Sequence, residues 1–367
     1  FIGCMVCHGE LARLRPAPAG LTGFYLASAS GGALGALFVG IVAPRLFAGY
    51  WELLFASAAI LPLALLAASR DPTSPLAPRR HAVRRTAALL AAGFIVAIVL
   101  AIRSSTVEAR VAARNFYGVL RVTDEDTRGG RLRTFTHGVT NHGAQLLDAG
   151  RRREPTAYYG RSSGVGLAFA RLDANRPRRV GIVGLGAGNL ATYGRPGDRF
   201  RFYEINPLVI EIAEREFSFL ADGRAETEVA LGDARLVLGR EEPQRYDLLV
   251  VDAFSSDSIP IHCLTREAFA LYLRHLAPGG VLAIHISNRH LDLEPVVAAA
   301  ARSLAQPAVV VESAGAPEQA ILPAVWILVG GERALLDDAE IRAASRPVGP
   351  REVAWTDDHS SLLQVLR

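Results

Sequence analysis

Residues 178–194, RRVGIVGLGAGNLATYG, run from an apolar strand straight into glycines. A strand that ends in such a turn is a common seat for a nucleotide, because backbone can approach a ligand closely only where side chains are absent. The turn contains Gly184, Gly186 and Gly188, and Asn189 stands where a dinucleotide fingerprint wants its third glycine. Gly-x-Gly-x-Gly is the commoner form in domains of the S-adenosylmethionine type. Alone it shifts the balance from NAD only modestly, so the neighbouring strands have to decide.

From residue 179 onward, strands alternate with helical patterns. FRFYEIN is followed by PLVIEIAEREFSFL, YDLLVVDAF by TREAFALYLRHL, and APGGVLAIHIS gives a further strand. Continuous apolar strands between helices imply a parallel sheet covered on both faces. In such sheets ligands sit beyond the carboxyl ends of the strands. The second strand ends in Glu204, 20 residues after Gly184, where a carboxylate accepts hydrogen bonds from ribose hydroxyls. LGDAR places Asp233 for the adenine edge, and YDLLVVDAFSSD delivers Asp252 to the pocket mouth. Helix, turn and strand in HLAPGGVLAIHIS complete the series. These features in this order point to an adenosyl sulfonium ligand. The expected fold class is α/β, a doubly wound, mostly parallel Rossmann-like sheet of the adenosylmethionine-dependent transferase type.

A small β domain, residues 104–165, is expected before that sheet at 166–367. Its strands are FYGVLRVTDE, RLRTFTHG and TNHGAQLLD, with DEDTRGGR as a hairpin loop. Residues 1–103 have a different character. The runs 21–43 and 86–102 carry no charge, and 50–68 is apolar except for Glu52, so three transmembrane helices are expected. With Phe1 first and Met5 its only methionine, the chain reads as the C-terminal part of a longer membrane protein. All 40 basic residues are arginine, which excludes Schiff-base lysine chemistry and the P-loop lysine. The net charge of +4 does not imply nucleic acid, since PRRHAVRR at 78–85 sits beside a span where anionic headgroups explain it. Cys4, Cys7 and His8 match a haem-attachment motif in isolation, and Cys263 reads as a core residue. His137, His142, His285 and His290 lack zinc-ligand spacing, so no metal is expected.

From about residue 104 to 295 the chain resembles the spermidine synthase (polyamine aminopropyltransferase) family, and more narrowly its membrane-fused bacterial members. The resemblance rests on HGAQLLD, PTAYYG, GLGAG, Glu204, the GDA of Asp233 and YDLLVVDAFSSDSIP. CHGELARLRPAPAGLTGFYLASASGGALG and WTDDHSSLL are similar to the fused subgroup. The resemblance implies transfer of an aminopropyl group from decarboxylated S-adenosylmethionine to a polyamine-type amine. It implies Asp252 as the base that takes the amine proton, and Tyr158 with Asp257 as substrate-binding groups. It further implies Gln145, Gly184, Gly186, Gly188, Glu204 and Asp233 as cofactor-binding residues.

Three departures stand out. Ala187 replaces the acid of the family's glycine turn, and Tyr159-Gly160 replaces His-Glu after Tyr158. Four residues rather than two separate Asp252 from Asp257. Two alternatives therefore stay open: a methyltransferase using intact S-adenosylmethionine, and a non-catalytic adenosyl or polyamine sensor coupled to a transporter-like membrane region. The expected partners are an amine substrate, the lipid bilayer and a second copy of the chain as a homodimer. Arginines beside the spans number seven against five, which by itself favours an external catalytic domain. The cytoplasmic supply of adenosyl sulfonium compounds and polyamines argues for the opposite side, and a cytoplasmic domain is expected. Asp357, Asp358 and His359 either close the pocket or end the domain in a polar turn.

Overall fold

The computed structural model describes residues 1–107, 109–254, 260–330 and 338–367. The chain divides into two compact units, Phe1–Val119 and Leu120–Arg367.

In the first unit, three helical stretches are long and apolar enough to cross a membrane. They are Pro18–Leu46, Trp51–Arg70 and Ala77–Arg103, of 29, 20 and 27 residues. At about 1.5 Å of rise per residue, 20 residues reach about 30 Å, the thickness of a bilayer's hydrocarbon core. Leu26, Leu34, Leu53, Leu63, Leu89 and Leu100 are all more than half exposed on these helices. Within the first stretch the helix widens to a π turn over Phe38–Val42 just before Pro44. Proline has no N–H to donate and its ring crowds the carbonyl four residues back, so a wider turn relieves both problems. The strand β1 (Val111–Asn115) belongs to this unit. Its Arg114 donates to Glu52 at 2.8 and 2.9 Å and stacks 4.4 Å over the Tyr50 ring. That buried tie explains why the division by packing falls after Val119, beyond the last apolar helix.

The second unit opens within β2 (Gly118–Thr127), which continues as an antiparallel meander through β3 (Gly130–His137) and β4 (Thr140–Leu146). Leu120 pairs with His137, and Leu132 with Leu146. The main sheet is made of β5 (Arg179–Val183), β6 (Arg199–Glu204), β7 (Glu226–Leu231), β8 (Tyr246–Val251), β9 (Leu276–His285), β10 (Ala308–Ser313), β11 (Ala324–Gly330) and β12 (Ser345–Pro347). Its order is β12-β10-β11-β9-β8-β5-β6-β7. The five strands from β9 to β7 are parallel, and β11, β10 and β12 extend the sheet antiparallel. Every residue of β8 is buried, as a central strand with helices on both faces requires. Fully burying each of its leucines and valines contributes about 1.5–3 kcal/mol. Chain order reverses between β5 and β8, which opens a crevice beyond their carboxyl ends.

Candidate active site

That crevice is a cavity of about 460 Å³. Four strand ends supply its polar wall: Gly184 after β5, Glu204 ending β6, Asp252 after β8 and His285 ending β9. Close approach of β5 and β8 depends on the absence of a side chain at Gly184. Its φ is +97°, and a Cβ there would stand 2.4 Å from the Asp252 carbonyl oxygen. Gly186, at φ +53°, faces the His142 carbonyl oxygen in the same way, again at 2.4 Å. The Ala187 N–H donates to that His142 oxygen at 3.0 Å, so β4 clasps the glycine turn.

Asp252 is fixed from both sides. Its Oδ1 lies 2.7 Å from His285 Nδ1, and its Oδ2 accepts from the Tyr159 hydroxyl at 2.5 Å. His285 stacks on Trp326 with ring centroids 4.5 Å apart, and its Nε2 is 2.8 Å from Ser287 Oγ. That serine oxygen also accepts the Val325 N–H, so the imidazole is held at both nitrogens and along one face. Burial, reinforced by the nearby Asp252 charge, pushes the Tyr159 phenol well above its ordinary value. Tyr159 is therefore a permanent donor, and each Asp252 oxygen keeps a second lone-pair direction for an incoming N–H.

Local backbone explains how the two tyrosines reach the site. Ala157 has φ +52°, a costly conformation for a residue with a Cβ. It is clamped by Ala157 N–H to Ala320 oxygen at 2.7 Å and by Leu322 N–H to Ala157 oxygen at 2.9 Å. The Trp326 indole donates to the Tyr158 carbonyl at 3.2 Å, and the Tyr158 ring lies 5.0 Å from that of His285.

Glu204 is only 8% exposed. Its two oxygens accept the Leu185 N–H at 3.0 Å and the Asn206 N–H at 2.9 Å. Burial raises its carboxyl above the ordinary value, and the backbone donors oppose that rise. Two of about four lone-pair directions remain for ligand hydroxyls. Asp233 caps the helix Ala234–Arg240 by accepting the Leu236 N–H at 3.0 Å, and its other oxygen is 2.9 Å from His262 Nε2. Cys263 also lines the cavity, and burial, with the Asp233 charge adding to it, pushes its thiol up to about 12.

Of the residues singled out from sequence, Tyr158, Gly184, Gly186, Glu204, Asp233 and Asp252 line this one cavity. Gln145 and Gly188 do not. The Gln145 amide is spent internally, donating to the Arg152 carbonyl at 2.9 Å and to Ser218 Oγ at 2.8 Å while accepting the Ser218 N–H. Gly188, at φ +87°, starts the short helix Asn189–Tyr193 beneath the turn. Asp257 lies outside the described residues. Asp357 forms a rim tie with Arg235 and Thr265, whereas Asp358 and His359 are exposed beyond it. Two residues that touch Asp252, Tyr159 and His285, were noted in the sequence but not assigned to the site. His285 had carried a signal, a histidine at the carboxyl end of a buried strand.

No family model matches the chain. The chain is 37% identical over 112 residues to the polyamine aminopropyltransferase of Vibrio vulnificus, a match covering 29% of this chain and 37% of that protein. It is 30% identical over 112 residues to a probable polyamine aminopropyl transferase of Bifidobacterium longum, covering 29% of this chain and 23% of that one. The chain thus spans well under half the length of these relatives. Among solved structures it is similar to a probable spermidine synthase from Corynebacterium glutamicum, with a TM-score of 0.50 and 19% identity over 67% of this chain and 95% of that chain, which shows the fold. Over the matched stretch the chain is similar to polyamine aminopropyltransferases, and it shares the fold of a spermidine synthase.

Proposed function

We propose that the second unit transfers an aminopropyl group from decarboxylated S-adenosylmethionine to an amine. The observation that carries this reading is Asp252, held by two donors at the mouth of a cavity that Glu204 and Asp233 also line. A wall with three carboxylates suits a ligand that bears a sulfonium and an amine. Glu204 would hold the ribose hydroxyls, and Asp233 would lie near the adenine. Tyr158 and Asp252 would face the acceptor, with Asp257 as a further group for its charge. The sulfonium supplies a leaving group that departs as a neutral thioether. The amine nitrogen forms the new N–C bond as the C–S bond breaks, and the electron pair stays on sulfur. Asp252 takes the ammonium proton, the service a positioned base performs.

One observation favours methyl transfer from intact S-adenosylmethionine instead. Ala187, where the family carries an acid, is buried and packs towards Gly143. No carboxylate from the glycine turn is there to select the decarboxylated compound. The deciding experiment offers both adenosyl compounds to the full chain with a panel of diamines. Release of methylthioadenosine only with the decarboxylated compound is expected. Adenosylhomocysteine release would establish the methyl-transfer reading, and binding without turnover would establish a sensor. We further read the apolar helices as a multi-pass membrane anchor with the second unit on the cytoplasmic side. An alkaline phosphatase fusion after Arg367 should then be silent, and an active one would reverse that placement.

A further inference from the structure

The second unit contains another cavity, of about 470 Å³, lined by Arg153, Arg161, Arg178, Arg195 and Arg224 and by no acidic residue. Arg178 is accounted for. It is buried against Asp198, with Nε donating at 2.9 Å to a carboxylate that also accepts the Arg178 and Arg195 backbone N–H groups. The other four guanidinium groups form no hydrogen bond or ion pair with a described residue. Asp222, whose field Arg153 shares, is already bonded to Arg152 at 2.7 Å.

Isolated arginines on a convex surface are ordinary solvated charges. Four lining one concave wall repel one another, and a concave wall concentrates their field on whatever enters. Guanidinium forks match phosphate oxygens in pairs, which a carboxylate-free pocket leaves them available to do. The floor of this cavity also leads to the candidate active site. Phe169 and Tyr193 stack there with centroids 4.5 Å apart. The Tyr193 hydroxyl donates to the Tyr159 carbonyl oxygen at 2.5 Å, and the Tyr159 hydroxyl donates to Asp252.

We propose that this cavity binds a small, multiply phosphorylated anion, free or as a lipid headgroup, and that Tyr193 and Tyr159 transmit its occupancy to the adenosyl cavity. The proposal requires no particular reaction at Asp252. Its test is calorimetry on the full chain in nanodiscs of neutral lipid, with inorganic pyrophosphate as the probe. Saturable binding is expected, weakened about tenfold or more in the Arg161→Ala/Arg195→Ala double variant, the scale of lost charge-assisted hydrogen bonds. Absence of saturable binding, or equal affinity in a folded double variant, overturns the site. Nanodiscs containing a phosphoinositide separate the two sources. Loss of pyrophosphate binding there identifies the headgroup, and unchanged binding identifies a free anion. Transmission has its own readout, since coupled sites must change each other's affinity reciprocally. Pyrophosphate should shift methylthioadenosine affinity in the native chain and not in Tyr193→Phe. No shift in the native chain, or the same shift in both, overturns the transmission.

Discussion

The two cavities of the second unit are nearly equal in size, about 460 and 470 Å³, and opposite in charge. In the first, the carboxylates already have protein donors: Glu204 two backbone N–H groups, Asp233 a helix N-terminus and His262, Asp252 a tyrosine and a histidine. In the second, four arginines have no such partner among the described residues. The difference teaches how to separate charge that orders the protein from charge that awaits a ligand. A held acid keeps its geometry through a reaction cycle, whereas an unheld cation gains its counterpart only from outside.

The hardest blow to this contrast falls on Asp252. Asp252→Asn should lower amine-dependent turnover by about 10²–10⁴, the contribution of a positioned base, with adenosyl-ligand affinity nearly intact. Equal losses of rate and binding would make Asp252 a structural acid and remove the distinction at its centre.

A smaller effect is expected at Glu204, where Glu204→Gln should weaken adenosyl-ligand binding by about 1–3 kcal/mol. The pH dependence carries a sign. Ribose hydroxyls donate to the carboxylate form, and burial raises the free protein's Glu204 above its ordinary value. Affinity should therefore be full above that raised value and fall as pH drops through it, at a higher pH than for an ordinary glutamate. The glutamine variant should show no such limb in calorimetry across pH, and a limb that persists would assign the titration to another group.

Tyr159→Phe should act most gently, because it removes a donor from the Asp252 carboxylate and leaves the base in place. His285 still holds the carboxylate, and the net worth of one hydrogen bond is about 0.5–1.5 kcal/mol, so amine-dependent turnover should fall by about two- to tenfold at unchanged adenosyl-ligand affinity. Unchanged turnover with reduced thermal stability would mean that the tyrosine only packs.

Much of the main sheet was legible because its central strands are unbroken apolar runs and two of the cavity's acids sit where those runs stop. Glu204 and Asp252 could be placed by that rule alone. Gln145 could not, since its amide closes on Arg152 and Ser218, and Ser218 lies 73 residues away in sequence. Tyr159 was counted only as a departure from a family motif. Its hydroxyl in fact reaches Asp252 across 93 residues, beside the strained Ala157 and its clamp. The arginine cavity was equally invisible, because its lining is scattered from Arg153 to Arg224 and no spacing marks it. The antiparallel edge beyond β9 also lay outside the strand–helix alternation from which the parallel core was read.

The thiol of Cys263 carries one more consequence. A sulfonium compound is an alkylating agent, and any nucleophile in its cavity competes with the intended acceptor. The chain has no lysine, so no side-chain amine can be modified in place of a substrate. Cys263 lines the cavity, but burial pushes its thiol up to about 12, so the weakly nucleophilic protonated form prevails at neutral pH. On the proposed function, burial of this thiol would shield the protein from alkylating itself.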